Sequence, residues 1–182
     1  MHPTTRQNLT IGIAHRCKSL RRGPGFVWSL RLTSVASVTT QPPTDEIRRI
    51  YAESRVIAVV GASPDPSKRA HVVPSYLQDV GYRIVPVNPH REEVLGEPSY
   101  PTLIDIPEPV DVVEVFRPGD EAPEIAQQAA AIGANVLWLQ VGIVSEEAAR
   151  IAQDAGMTFV SDLCMGAMHA VLEIGSGPNA TD

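Results

Sequence analysis

The sequence predicts an α/β protein with a Rossmann-like, doubly wound, five-stranded parallel sheet and helices on both faces. Three observations lead to this fold class. Short apolar runs alternate with amphipathic segments five times along the chain, which is typical of βα units. The apolar runs are continuous rather than alternating, as in strands buried on both faces. Parallel strands joined by right-handed helical crossovers leave few other architectures.

The first four elements follow from the residues at their ends. Thr44 can cap a helix that has two acidic residues in its first turn. The β-branched run VIAVV predicts a strand over 56–60, which a glycine stops. A helix is predicted over 72–80 because its apolar residues share one face and Gly81 follows it. The segment RIVPV predicts the second strand, over 83–87.

The βα alternation resumes after an irregular stretch that contains several prolines. Its elements are a strand over 110–116, a helix over 123–132, a strand over 135–140, a helix from Ser145 to near Gly156, a strand over 157–161 and a helix over 165–172. The pattern is complete without the N-terminal part of the chain.

Charge divides the chain into two parts. Residues 1–44 carry six basic residues and no acidic one, whereas residues 45–182 carry nine basic and 21 acidic residues, a formal net charge of −12. We therefore expect a basic, disordered N-terminal extension over 1–44, a folded domain over 45–175 and a tail over 176–182. Three explanations of the extension stay open: an organellar transit peptide, a leader read from a start codon placed too early, and a basic tail that contacts nucleic acid.

Composition argues against several functions. No uncharged apolar run approaches the ~18 residues that span a bilayer, so we expect no membrane partner. The acidic domain would repel a phosphate backbone, and an aromatic content of 5% is too low for a base-stacking platform, so we expect no nucleic-acid partner for the domain. Cys17 and Cys164 lie in unlike contexts, which indicates a reducing compartment. We expect a cytoplasmic protein, or an organellar one if the extension is a transit peptide.

In a doubly wound sheet the ligand lies at the carboxyl ends of the strands, where the strand order reverses. The loop after the first strand reads GASPDPSKRAH. It keeps only Gly61 of the dinucleotide fingerprint, because Ser63 and Pro66 stand at the other two glycine positions. This argues against a standard NAD or FAD site, while the Ser63 hydroxyl, Lys68 and Arg69 can hold phosphate oxygens. A plain surface turn would explain the same loop.

The next two loops add candidates. The second strand ends at Val87 and is followed by Asn88 and Pro89, so the carboxylate that binds the ribose of NAD is missing. A ligand with an extra phosphate on its ribose is therefore better tolerated. Phe116 and Arg117 leave the third strand, where an aromatic ring can pack on adenine and a guanidinium can meet a phosphate. Ordinary closure of the core explains Phe116 nearly as well.

The last two loops hold Gln140 and Gly142, then Cys164 and His169. A cysteine and a histidine five residues apart suggest a nucleophile and its base, but that spacing does not place both on one helix face. No Cys and His cluster has zinc-like spacing, so no metal site is expected. Trp138 is expected in the core.

Taken together, several segments resemble a known family. They are VVGAS with Lys68, GYRIVPVNP, VDVVEVFRP, LQVGI and DLCM. They are similar to the small stand-alone CoA-binding proteins, which in turn are similar to the N-terminal CoA-binding domain of the succinyl-CoA synthetase α subunit. The resemblance covers about residues 47–174.

The resemblance implies that the chain binds coenzyme A or an acyl-CoA. The ligand positions it implies are Gly61, Ala62, Ser63, Lys68, Arg69, Asn88, Pro89, Phe116, Arg117, Gln140 and Gly142, with Cys164 in the fifth loop. The synthetase uses a phosphorylated histidine in a second domain, to which nothing in this sequence corresponds, so we expect binding without catalysis. Two alternatives stay open: an NAD(P)-binding oxidoreductase or redox sensor on the same fold, and an interaction subunit that binds no ligand. The acyl group and any protein partner are not specified.

Overall fold

The computed structural model describes residues 41–180. The extension predicted over 1–44 lies outside the described residues except for its last four positions. The elements are α1 Thr44–Glu53, β1 Val56–Val60, α2 Arg69–Asp79, β2 Arg83–Val87, β3 Glu93–Val94, β4 Glu97–Pro98, a 3-10 turn Leu103–Asp105, β5 Val112–Val115, α3 Ala122–Ala131, β6 Val136–Leu139, α4 Glu146–Asp154, β7 Thr158–Val160 and α5 Met165–Val171. None of the helices in this part of the chain is long and apolar enough to cross a membrane.

The main sheet has five parallel strands in the order β2-β1-β5-β6-β7. The chain moves from β1 to β2 on one side and then returns to β5 on the other, so the strand order reverses between β1 and β5. The last residue of β1, Val60, pairs with Val87 of β2 and with Val115 of β5. The loops after these three strands therefore start at the same level, which is where a doubly wound sheet binds its ligand.

The helices cover both faces of the sheet, which confirms the predicted fold class. Helices α1, α2 and α5 pack on one face, where the core contains Ile50, Tyr51, Leu77 and Met165. Helices α3 and α4 pack on the other face. Their buried residues there include Ala122, Ala126, Ala129, Ala148 and Ala152. Trp138 is fully buried, as predicted, and its indole N–H donates to the carbonyl oxygen of Leu163 at 2.7 Å.

Helix α2 begins three residues earlier than predicted, and Pro74 inside it affects the loop before it. Because Pro74 has no backbone N–H, the carbonyl oxygen of Ala70 is left without its helical donor. That oxygen instead accepts the backbone N–H of Ser63 at 3.1 Å. The proline therefore ties the loop after β1 to the first turn of α2.

The stretch predicted as irregular contains a small hairpin, β3 paired antiparallel with β4. Its turn residues, Leu95 and Gly96, both have positive φ angles, of 58° and 73°. A leucine is unusual in such a two-residue turn, which is normally formed by Asn-Gly or Asp-Gly. Strand β5 is also shorter than the predicted 110–116. The side chain of Asp111 just before it accepts the backbone N–H groups of Arg55 and Val56 at 2.8 and 2.9 Å.

Candidate functional site

A cavity of about 860 Å³ lies at the reversal point of the sheet. It is lined by the loops after β1, β2 and β5, by the segment before the 3-10 turn and by the start of α3. Its volume is in the range of clefts that bind small molecules. A smaller cavity of about 560 Å³, lined in part by Val144, Phe159 and Asp162, contains none of the predicted ligand positions.

Eight of the twelve predicted positions line the larger cavity. They are Gly61, Ala62, Ser63, Lys68, Asn88, Pro89, Phe116 and Arg117. The other four, which do not line it, are Arg69, Gln140, Gly142 and Cys164. The structure thus brings the predicted residues of the first three loops together, except for Arg69, and those of the last two loops do not line this cavity.

Gly61 allows the β1 loop and the β5 loop to approach each other closely. Its φ angle is 86°, in the left-handed region, and its N–H donates to the carbonyl oxygen of Val87 at 2.9 Å. A Cβ at this position would lie 2.9 Å from Cδ of Arg117. The aliphatic part of the Arg117 side chain therefore crosses directly over the backbone of Gly61.

The rest of the β1 loop is fixed by its own polar groups. The Ser63 hydroxyl accepts the N–H of Asp65 at 3.2 Å, and Nδ1 of His71 lies 2.8 Å from the Ser63 carbonyl oxygen. The Asp65 carboxylate accepts hydrogen bonds from the hydroxyl and the N–H of Ser67 at 2.7 and 2.9 Å, and these bonds lower the pKa of Asp65. Lys68 follows directly, just before α2, with an exposed side chain.

Asn88 joins the β1 and β2 loops. Its Nδ2 donates to the carbonyl oxygen of Ala62 at 2.8 Å, and its Oδ1 accepts the N–H of His90 at 2.9 Å. Both ends of the amide are thus used within the protein. Asn88 lines the cavity. At the position where an NAD site has a carboxylate that binds the ribose, this chain has an amide that links the β1 and β2 loops.

Three cationic side chains line the cavity: Lys68, Arg91 and Arg117. The guanidinium of Arg117 makes a two-pronged ion pair with Glu121, with N–O distances of 2.8 and 2.7 Å, and this pairing raises the pKa of Arg117. Within residues 41–180, Lys68 and Arg91 form no ion pair with a carboxylate. These two charges are available to an anionic ligand without breaking an existing pair.

Gln140 faces a buried carboxylate that sequence reasoning missed. Glu114, in the middle strand β5, is fully buried, and its Oε1 accepts a hydrogen bond from Nε2 of Gln140. Its Oε2 has no hydrogen-bond partner among residues 41–180. Burial raises the pKa of Glu114 to about 8, and the bond from Gln140 opposes part of that shift. A glutamate inside the otherwise apolar run of β5 was the signal that could have identified it.

Gly142 and His169 have hydrogen-bond partners within the protein, and Cys164 packs against the core. The N–H of Gly142 donates to the Asp162 carboxylate at 2.7 Å, which ties the loops after β6 and β7 together. Cys164 is half-buried just before α5. His169 is buried, its Nδ1 lies 2.9 Å from the hydroxyl oxygen of Tyr76, and burial lowers its pKa. No hydrogen bond joins Cys164 to His169 in the described chain.

Known proteins resemble this chain over the residues that form the five-stranded sheet and its helices. The family model described as CoA binding domain matches residues 55–170. The YneT protein of Bacillus subtilis strain 168, of uncharacterized function, is 41% identical over 130 residues, which is 71% of this chain and 96% of that protein. The solved structure of a hypothetical protein from Pyrococcus horikoshii OT3 is 39% identical, with a TM-score of 0.71, and the alignment covers 74% of this chain and 98% of that one.

A larger enzyme contains a similar segment. The α subunit of the ADP-forming acetate–CoA ligase II of Pyrococcus furiosus is 30% identical over 130 residues, which is 65% of this chain but only 28% of that subunit. The predicted likeness to the succinyl-CoA synthetase α subunit is supported at the coarser level of a CoA-binding domain. The family match spans most of the described residues, and the chain belongs to the CoA binding domain family.

Proposed function

We propose that this chain binds coenzyme A or an acyl-CoA in the cavity between the β1, β2 and β5 loops. One observation carries the proposal. Eight positions that the family resemblance assigns to the ligand, from three loops far apart in sequence, line a single cavity at the reversal point of the sheet. Membership of the CoA binding domain family supports the same ligand.

Two cations of the cavity can meet the phosphates of a ligand. Lys68 and Arg91 have no carboxylate partner within the described chain and can each meet a phosphate oxygen. Gly61, which has no side chain, lets the Arg117 side chain cross its backbone and reach the cavity. Phe116 lines the same cavity while packing against the core, and its ring offers an apolar surface for adenine.

The same cavity disfavours NAD. Asn88 stands where a dinucleotide site has the carboxylate that binds the ribose hydroxyls, and its amide is already bonded to Ala62 and to His90. The function we propose is therefore CoA binding, without a catalytic step assigned to residues of this cavity.

The proposal is tested by two neighbouring lysine and arginine variants of the full chain. Lys68 lines the cavity and Arg69 does not, although both are exposed cations one residue apart. We expect Lys68→Ala to weaken CoA binding by about 1–3 kcal/mol, the worth of a charge-assisted hydrogen bond, and Arg69→Ala to change it far less.

Isothermal titration calorimetry of the two variants measures this difference, and matched melting temperatures serve as the folding control. A dissociation constant that is the same for Lys68→Ala and the unaltered chain would contradict the assigned site.

A further inference from the structure

Arg117 is placed across the cavity but is not free. Its stem lies over Gly61, so close that a Cβ there would be 2.9 Å from Arg117 Cδ. Its guanidinium is held by both carboxylate oxygens of Glu121, four residues further along the chain. Both side chains line the cavity and are nearly half exposed, at 49% and 43%. The ion pair therefore lies at the accessible surface of the proposed ligand site.

The position of Glu121 at the start of α3 is favourable for its carboxylate even without Arg117. The residue immediately precedes α3, and the partial positive charge of the helix start favours a carboxylate there, although the Glu121 side chain makes no capping hydrogen bond. Its own N–H donates to the carbonyl oxygen of Pro118 at 3.0 Å, which fixes the backbone of the turn. Losing the arginine would thus leave the Glu121 carboxylate at a favourable position.

The charged side chains of the cavity cancel one another. Among the residues that the structure describes, three are cationic and three are anionic: Lys68, Arg91, Arg117, Asp65, Glu121 and Glu124. A ligand with several phosphates would meet no net positive charge in this arrangement. It would meet one additional unpaired cation if Arg117 left Glu121 and turned to a phosphate.

We infer that Glu121 is a built-in competitor for the ligand's phosphate, and that binding transfers Arg117 from the Glu121 carboxylate to a phosphate oxygen. This inference rests on the proposed function, since it takes a phosphate-bearing CoA as the ligand. Glu121 is in this account a positioning residue that sets affinity through Arg117. No covalent bond changes; one ion pair is exchanged for another, and the cost of opening the first lowers the affinity.

The test is a calorimetric titration of the full chain with CoA, comparing Glu121→Gln with Glu124→Gln. Both variants remove one negative charge from the same cavity, but only Glu121 is paired with Arg117. Since an exposed pair of this kind is worth little, we expect Glu121→Gln to tighten binding about two- to fivefold. Glu124→Gln should tighten it clearly less.

The direction of the change separates this role from a structural one, because loss of structural support would weaken binding. Equal effects of the two variants would show that affinity depends only on the net charge of the cavity. That result would overturn the proposed exchange of ion pairs at Arg117. Weaker or unchanged binding by Glu121→Gln would overturn it too, by showing that Glu121 presents Arg117 to the ligand or plays no part. If the unaltered chain did not bind CoA at all, the proposed function itself would fail; the other outcomes leave it standing.

Discussion

Glu114 makes the stability of this domain depend on pH. It lies in β5 between Val59 of β1 and Trp138 of β6, with no exposed surface. The nearest elements supply Gln140, which donates to Oε1, and Tyr51 of α1, whose pKa is raised by burial first and by the charge of Glu114 second. No cation is paired with Glu114 in the described chain. An ionised carboxylate is therefore poorly compensated at this position.

The size of the effect follows from the shift in pKa. Burial raises the pKa of Glu114 to about 8 from an ordinary value of 4.5. The folded protein thus holds this proton more tightly than the unfolded chain, so the free energy of unfolding falls as pH rises from about 4.5 to 8. Linkage gives a loss of about 3–4 kcal/mol between pH 5 and pH 8, and about 5 kcal/mol in the fully ionised state. This is a large share of the 5–15 kcal/mol that stabilises a typical domain.

Glu114→Gln removes the titration and keeps the shape of the side chain. We expect the variant to gain stability over the unaltered chain as pH rises, by about 3–4 kcal/mol from pH 5 to pH 8 in urea unfolding. His169 changes stability in the opposite direction, because burial lowers its pKa, but it does so in both proteins and cancels in the difference. Glu124→Gln, at an exposed glutamate, is the control and should show no such trend. A stability difference between Glu114→Gln and the unaltered chain that is the same at pH 5 and pH 8 would refute the reasoning.

Two further predictions concern the extension and the chemistry. A shortened chain that begins at Thr44 should melt within a few degrees of the full chain, because the predicted and observed elements start there; a large loss in melting temperature by calorimetry would show that residues before Thr44 stabilise the domain. Acyl-CoA esters incubated with the full chain should release no free CoA above background in a thiol assay, since the candidate nucleophile and base, Cys164 and His169, do not line the cavity; steady hydrolysis that disappears in Cys164→Ala would show catalysis.

The main elements of the fold could be predicted because each has a local cause. The strands are mainly apolar runs, and the helices have one apolar face and recognisable ends. The periodicity of apolar residues was therefore sufficient to predict these elements. The hairpin of β3 and β4 could not be predicted, because its turn places Leu95 at a positive φ angle without an Asn-Gly signal. The early start of α2 was missed because it is stabilised by a bond to the preceding loop, from the N–H of Ser63 to Ala70.

The location of the candidate site was predictable for a topological reason. Parallel strands bring their carboxyl ends to one edge, so the residues that follow β1, β2 and β5 had to meet near the reversal point. The direction of individual side chains was not predictable. Gln140 was expected at the ligand, but it bonds to the buried Glu114 from the neighbouring strand. The pairing of Arg117 with Glu121 likewise depends on how the β5 loop turns into α3.

Calorimetric titration of the full chain with CoA, NAD and NADP tests the central claim most directly. The geometry of the β1, β2 and β5 loops predicts saturable binding of CoA with one site per chain and much weaker binding of NAD. The incomplete glycine fingerprint after β1 predicts weak binding of NADP as well. Binding of NAD or NADP in preference to CoA, or no heat of binding with any of the three, would contradict it.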